Sequence, residues 1–290
     1  MRRLIINADD LGLTPGVNRG ILQAHQQGVV TSATMMAAAP ATEDAATLFA
    51  SPSKLSVGCH VVLIDGKPVS PPAQVRSLLA SSDDGGRFHD SWLRFARASM
   101  RGKLSQEEIA TEVRAQIATL GALGVYVSHV DTHKHTHALP WVLKPLLRAA
   151  HDCGVTAIRN PIAPLHTLAF AQLLRRPKLW KRYGQVRLLQ RVASDFQRAV
   201  ADAGLRTPDG TFGILVTGAL DERFFEAIAG SIPDGTWEFV CHPGYCDDDL
   251  RAVKTRLRES RATELEVLTS GAARRALDRH GVELISYWEL

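Results

Sequence analysis

Arg3-Leu4-Ile5-Ile6-Asn7-Ala8-Asp9-Asp10-Leu11-Gly12 opens the chain with a strand-length apolar run that ends on two carboxylates and a turn. An amphipathic stretch follows from Val17 to Gln27, and a second apolar run from Val29 to Met36. This is one strand–helix–strand unit, and the pattern recurs along the chain. Further strands are predicted at Leu55–Leu63, Val125–Asp131, Val155–Arg159, Phe212–Val216, Glu238–Cys241 and Val282–Ser286. Helices are predicted at Thr42–Ala50, Ser105–Leu123, Pro140–Cys153, Leu220–Ile228 and Ala262–Arg279. Ser105 with Glu108 three residues on has the pattern of a capping box, and Gly28, Gly124, Gly154 and Gly281 stand where a helix must stop before a strand. Alternation of this kind implies a parallel sheet covered by helices. With about seven units and no linker, a closed or nearly closed α/β barrel is expected over residues 1–290 as a single domain.

The 290 residues are 45% hydrophobic and 22% charged, an ordinary globular balance that excludes disorder for most of the chain. Three apolar residues before Asn7 are too few for a signal peptide, and no run approaches a membrane span. Four cysteines (Cys59, Cys153, Cys241, Cys246) with no C-x-x-C pair make neither a disulfide scaffold nor a structural zinc site. A cytoplasmic protein is expected. Between Leu165 and Val200 eight basic residues (Arg175, Arg176, Lys178, Lys181, Arg182, Arg187, Arg191, Arg198) face Asp195 alone, net +7, which leaves the remainder at −3. The basic excess is therefore local and points to a local anionic partner.

In barrels of this kind the chemistry sits at the carboxyl ends of the strands. Ionisable residues recur there: Asp9 and Asp10, His60, Asp131 and His133, Arg159, and His242. Adjacent carboxylates on a strand point to opposite faces unless the chain bends, and Leu11-Gly12 is the expected bend. In His129-Val130-Asp131-Thr132-His133-Lys134-His135-Thr136-His137, period-two geometry puts His129, Asp131, His133, His135 and His137 on one face. A row of imidazoles with a carboxylate to orient them reads as metal-binding. With Asp10 and His133, His60 completes two histidines and a carboxylate with open positions, which suits a catalytic zinc or a non-haem iron. Arg159 and His242 each precede or begin a Pro-terminated loop and read equally well as structural. Cys59 and Cys241 read as small buried hydrophobes. No phosphate loop or nucleophile elbow is present.

At these residues the chain resembles the YdjC-like (ChbG-like) carbohydrate deacetylases, relatives of the NodB-type polysaccharide deacetylases, which have a distorted (β/α) barrel. The matching pieces are Asn7-Ala8-Asp9-Asp10-Leu11-Gly12 (the family usually has Phe where Leu11 stands), Gly58-Cys59-His60, His129 to His137, and Cys241-His242-Pro243-Gly244, in the family's order. The resemblance implies a metal-dependent hydrolase that removes the N-acetyl group of an acetamido sugar, giving acetate and a free amine. It implies Asp10, His60 and His133 as ligands of one divalent ion, zinc first and magnesium second. Asp9 is implied as base, His242 as acid and Arg159 as the group that orients the base, with Asp131, His135 and His137 in supporting or substrate-binding places.

The insert and the run Ala203 to Gly213 look most like the hopanoid-biosynthesis-associated (HpnK-like) branch, which implies an N-acetylglucosaminyl hopanoid as substrate. Apolar residues interleave with the cations of the insert, so Arg175, Arg176, Lys178, Trp180, Lys181 and Arg182 are expected at an anionic membrane surface, on the inner face of the cytoplasmic membrane. A charged helix flanking the barrel is the equal alternative for this segment. Competing readings of the whole chain are a chitooligosaccharide deacetylase on soluble sugars, a non-catalytic sugar- or lipid-binding barrel, and an iron oxygenase. Nucleic acid is not expected as a partner.

Overall fold

The computed structural model describes residues 1–49, 54–80, 86–164 and 180–290, apart from the side chains of residues 181, 182 and 185. Arg175, Arg176 and Lys178 lie outside the described residues, as do the side chains of Lys181 and Arg182.

Seven parallel strands form one sheet: β1 (Arg2–Leu11), β2 (Ser32–Met35), β3 (Ser56–Val61), β4 (Val130–Thr132), β5 (Thr211–Phe212), β6 (Gly235–Cys241) and β7 (Val282–Ile285). The order is β4-β3-β2-β1-β6-β5. β1 is the central strand and is buried along eight of its ten residues, which is why it reads as a continuous apolar run rather than an alternating one. Its second half pairs with β2, its first half with β7, and its other edge with β6. The segment Val155–Arg159, expected as a strand, makes only single bridges. Its backbone bonds reach Val130 on one side and Arg206 on the other, and Ile162 accepts from Thr211, so this irregular segment spans the gap between β4 and β5.

Helices cover the sheet: α1 (Pro15–Gln26), α2 (Thr42–Leu48), α3 (Trp92–Met100), α4 (Gln106–Ala122), α5 (Pro140–Asp152), α6 (Trp180–Leu189), α7 (Ala193–Asp202), α8 (Glu222–Ser231), α9 (Asp248–Ala252), α10 (Glu259–Thr269) and α11 (Gly271–Arg279). In α1, Thr14 caps the Val17 N–H, Pro15 occupies the first turn, and Val17, Ile21 and Ala24 bury one face. Ser105 caps α4, but the Glu108 carboxylate does not return to close the box; it accepts from the Ser77 N–H at 2.6 Å instead. Glu112 and Gln116 on α4 are buried and hold the Val62–Ser70 backbone through four hydrogen bonds, which fixes the excursion beyond β3 at the barrel mouth.

Several expected elements differ. The stretch Val125–Asp131 contributes only its end to β4, and of Phe212–Val216 only Phe212 belongs to the two-residue β5, with a 3-10 turn at Ile214–Val216. The stretch Ala262–Arg279 is two helices, because Ser270 leaves helical geometry and caps α11. α3, which was not anticipated, begins at a Ser91 cap. Gly28 is required by crowding, since a Cβ there would strike the Leu268 carbonyl oxygen.

The described part of the basic insert packs onto the barrel. Val186 of α6 and Phe196 and Val200 of α7 are buried in the main core, while Trp180 and Leu188 are exposed. Among the described residues no helix is long and apolar enough to cross a membrane.

Candidate active site

The expected bend at Leu11-Gly12 is present: Gly12 is left-handed at φ 95°, and the Leu13 N–H donates to the Asp10 carbonyl at 3.0 Å across it. Asp10 itself is left-handed, at φ 67°, and the register between β1 and β2 shifts between Ala8 and Leu11. Aspartate tolerates this conformation better than most residues, and the irregularity turns both carboxylates toward the same mouth.

Asp10, His60 and His133 converge. Asp10 Oδ1 lies 3.4 Å from His60 Nε2 and 3.4 Å from His133 Nδ1, and the two ring nitrogens are 3.3 Å apart. A tetrahedral zinc about 2.0–2.1 Å from each donor requires donors about 3.3–3.4 Å apart, so the three atoms fit three corners of such a site. The charges also fit. Five buried carboxylates (Asp9, Asp10, Asp131, Glu238, Glu264) face two buried guanidiniums (Arg159, Arg261). Burial alone would lower His60, but Asp131 and Asp9 outweigh it and push this imidazole well above its ordinary value, the mark of a site whose excess negative charge favours a cation. Asp131 Oδ1 pairs with His60 Nδ1 at 2.7 Å, leaving Nε2 toward Asp10 and His133.

Asp9 lies behind this group. Arg159 donates to both of its oxygens, Nη1 to Oδ2 at 2.9 Å and Nη2 to Oδ1 at 2.7 Å. Oδ1 also accepts from Asn7 Nδ2 at 3.0 Å and Thr34 Oγ1 at 3.3 Å. Oδ2 has the Arg159 bond alone, so it keeps a lone pair, and it is the oxygen 3.9 Å from His242 Nε2. Burial would raise Asp9, but Arg159, then His60 and His242, hold it far below the usual carboxylate range. Burial lowers His242 despite Asp9, Glu264 and Asp10 nearby. Arg159 is fully buried and is fixed in turn by Glu238, through Nε at 2.8 Å, and by Asp131. Glu238 is held by Tyr287 Oη at 2.7 Å and Thr211 Oγ1 at 3.2 Å, and burial raises its carboxyl.

The single histidine face is not formed. β4 ends at Thr132, and His133–Ala138 is a 3-10 segment with Lys134 and His135 left-handed, so period-two geometry stops before His133. His129 stacks on the Tyr287 ring, with centroids 3.5 Å apart, and lies against Gly58, where a Cβ would come within 2.6 Å of its ring. His137 Nδ1 bonds Thr132 Oγ1 at 2.7 Å, and its ring meets Phe196 of α7. His135 is not part of the Asp10 group, although Arg159, Asp9, His60 and His242 all act on its charge. Besides the Asp10 group, the described residues contain one further compact set, Asp9, His60 and Asp131, in which Asp131 is already paired with His60 Nδ1 through one oxygen and with Arg159 through the other.

Arg261 and Glu264, both buried on α10, were not anticipated. Arg261 Nη2 donates to Asp10 Oδ2 at 2.5 Å, and Glu264 Oε2 accepts the His242 N–H at 2.6 Å. In sequence an Arg-x-x-Glu pair on a helix looks like solvated surface. Glu238, an acid inside an otherwise apolar strand, was a visible sign of the buried cation, Arg159, that lies beside it.

Of the histidines that burial lowers, three lie furthest below their ordinary value: His129, with Arg159 adding to the effect; His137, with His135 adding; and His135, pushed down to about 3. A group neutral when folded and protonated when unfolded stabilises the fold fully above the unfolded pKa, and that contribution is lost as pH falls. Below pH about 6.5 each such histidine costs about 1.4 kcal/mol per pH unit. The lowered aspartates act only below about pH 4. His129→Gln is therefore expected to reduce the slope of unfolding free energy against pH between about 4.5 and 6 by one proton. Urea titrations at several pH values measure it, and an unchanged slope would contradict the assignment.

Comparison with known proteins gives a consistent result. The family model described as YdjC-like protein matches residues 3–279. A carbohydrate deacetylase of Geobacillus stearothermophilus is 32% identical over 289 residues, 99% of this chain and 98% of that one. A chitooligosaccharide deacetylase of Yersinia enterocolitica is 30% identical, covering 98% of this chain and 97% of its own. An Enterococcus faecalis crystal structure, proposed to be of a cellobiose-phosphate cleavage protein, superposes with a TM-score of 0.77 at 26% identity, over 99% of this chain and 98% of that one.

Proposed function

This chain belongs to the YdjC-like protein family, and from that premise we propose that it is a metal-dependent carbohydrate N-deacetylase acting on an acetamido sugar. The observation that carries the reading is the pairing of the Asp10–His60–His133 triangle with a separate, Arg159-held Asp9 and a histidine, His242, on Asp9's free side. A purely binding barrel needs no such acid–base pair, and an iron oxygenase needs no ionised carboxylate in that place.

Asp10, His60 and His133 would hold one divalent ion. The chemistry such an ion supplies when bound is activation of water and polarisation of an acyl carbonyl. Donors at tetrahedral spacing favour zinc over magnesium, which demands closer octahedral oxygens. Asp9 Oδ2 takes the proton of the attacking water; Arg159 keeps that carboxylate ionised and aimed. As the carbon–nitrogen bond breaks, His242, whose Nε2 lies 3.9 Å from Asp9 Oδ2, passes that proton on to the departing sugar nitrogen, and the products are acetate and a free amine. Glu264 fixes the His242 backbone, while Asp131 fixes the ring of His60.

For the rest of the substrate we propose a lipid-linked sugar of the hopanoid type. Trp180 and Leu188, exposed on the basic segment that covers the barrel, support contact with an anionic membrane surface. The similarity to a chitooligosaccharide deacetylase supports soluble oligosaccharides as the second reading.

One experiment addresses the levels together: acetate release from N-acetylglucosaminyl glycolipid in anionic liposomes and from soluble chitobiose, before and after removal of metal by a chelator. Turnover of the glycolipid with salt-sensitive liposome binding is expected, and it should stop on chelation. Faster turnover of chitobiose with no liposome binding overturns the lipid reading alone. Undiminished turnover without metal overturns the metal reading.

A further inference from the structure

The two oxygens of Asp10 have separate partners. Oδ1 is the atom that faces His60 and His133, whereas Oδ2 receives Arg261 Nη2 from the opposite side. Arg261 is 1% exposed, and its position on α10 is anchored twice more: Nε donates to the Leu257 carbonyl at 3.2 Å, and its own carbonyl accepts the Gly244 N–H at 3.2 Å. Its Nη1 is buried without a hydrogen-bond partner among the described residues. A guanidinium does not lose its charge on burial, and a buried donor left unpaired is costly, so a site that keeps one here keeps it for the contact it does make.

We propose that Arg261 is a positioning residue that holds Asp10 as a one-oxygen ligand. The inference rests on the metal reading above. A carboxylate can bind a cation through one oxygen or both, and two-oxygen binding would fill a position that a hydrolytic site must leave open for water and for the acyl oxygen. With Oδ2 drawn into a charge-assisted bond to Arg261, only Oδ1 is offered beside the two imidazoles. The left-handed backbone at Asp10 makes this restraint more important, because no regular strand pairing fixes the side chain there.

The test uses the full-length protein loaded with cobalt(II), whose visible band weakens as its coordination number rises. In Arg261→Met, the band is expected to weaken and kcat to fall about 10- to 100-fold, with KM changed far less, as when other groups that hydrogen-bond to a metal's ligands are removed. Arg261→Lys, which still offers Oδ2 a charged donor, should keep the wild-type band and recover most of kcat. A methionine variant with an unchanged band, or a lysine variant with a weakened one, overturns the proposal. If the methionine variant does not fold, the lysine variant decides by the same criterion. A wild type that binds no cobalt overturns the metal reading itself, and this inference with it.

Discussion

Asp9→Asn is expected to lower kcat by about 10²- to 10⁴-fold while leaving the metal in place, because it removes a proton acceptor and not a ligand. The variant should fold. Arg159 would keep Asp131 and Glu238, so its charge is not stranded, and the amide oxygen can still accept one of its N–H groups. What disappears is the basic lone pair on Oδ2, the only Asp9 oxygen not already crowded by Asn7 and Thr34. The control is Asp10→Asn, which should weaken metal binding itself. Acetate release and metal content, measured on both, separate the roles; equal metal loss in the two variants would mean that the adjacent carboxylates do not divide the work.

His133→Ala should abolish metal binding and turnover together, by more than the roughly 10- to 100-fold that losing a residue hydrogen-bonded to a ligand costs. His60 is buried and locked by Asp131, but His133 is the more accessible ligand, and it precedes the left-handed pair Lys134 and His135. Re-adding zinc after chelation should restore the wild type and not the variant. Stoichiometric metal in His133→Ala with normal turnover would remove His133 from the ligand set.

The barrel was readable because β1, β2, β3 and β6 are apolar runs that few other structures can accommodate, and because the helices between them carry caps. The site was readable where chemistry is concentrated in short motifs, as in Asp9-Asp10 and Asp131-Thr132-His133. Geometry was less accessible. Nothing in the spacing of residues 129–137 says that the strand stops at Thr132, since that depends on where β3 ends beside it. Arg261 and Glu264 escaped for a related reason: their partners lie 251 and 22 residues away, and only the fold of α10 against the loop after β6 brings them together. Val155–Arg159 misled because it has strand composition but meets each neighbour in only one isolated bridge.

The central place of β1 has a consequence in time. The strand is made before its partner β6, which begins at Gly235, so at about 5–20 residues per second the ribosome takes roughly 10–45 s to supply the second neighbour. During that interval one whole edge of an apolar strand has nothing to pair with, the condition under which nascent chains stick to one another. Arg2 and Arg3 at one end of the run and Asp9 and Asp10 at the other act as gatekeepers, since like charges repel copies that would stack in register. The aspartates that later face the site thus also guard the unfinished chain.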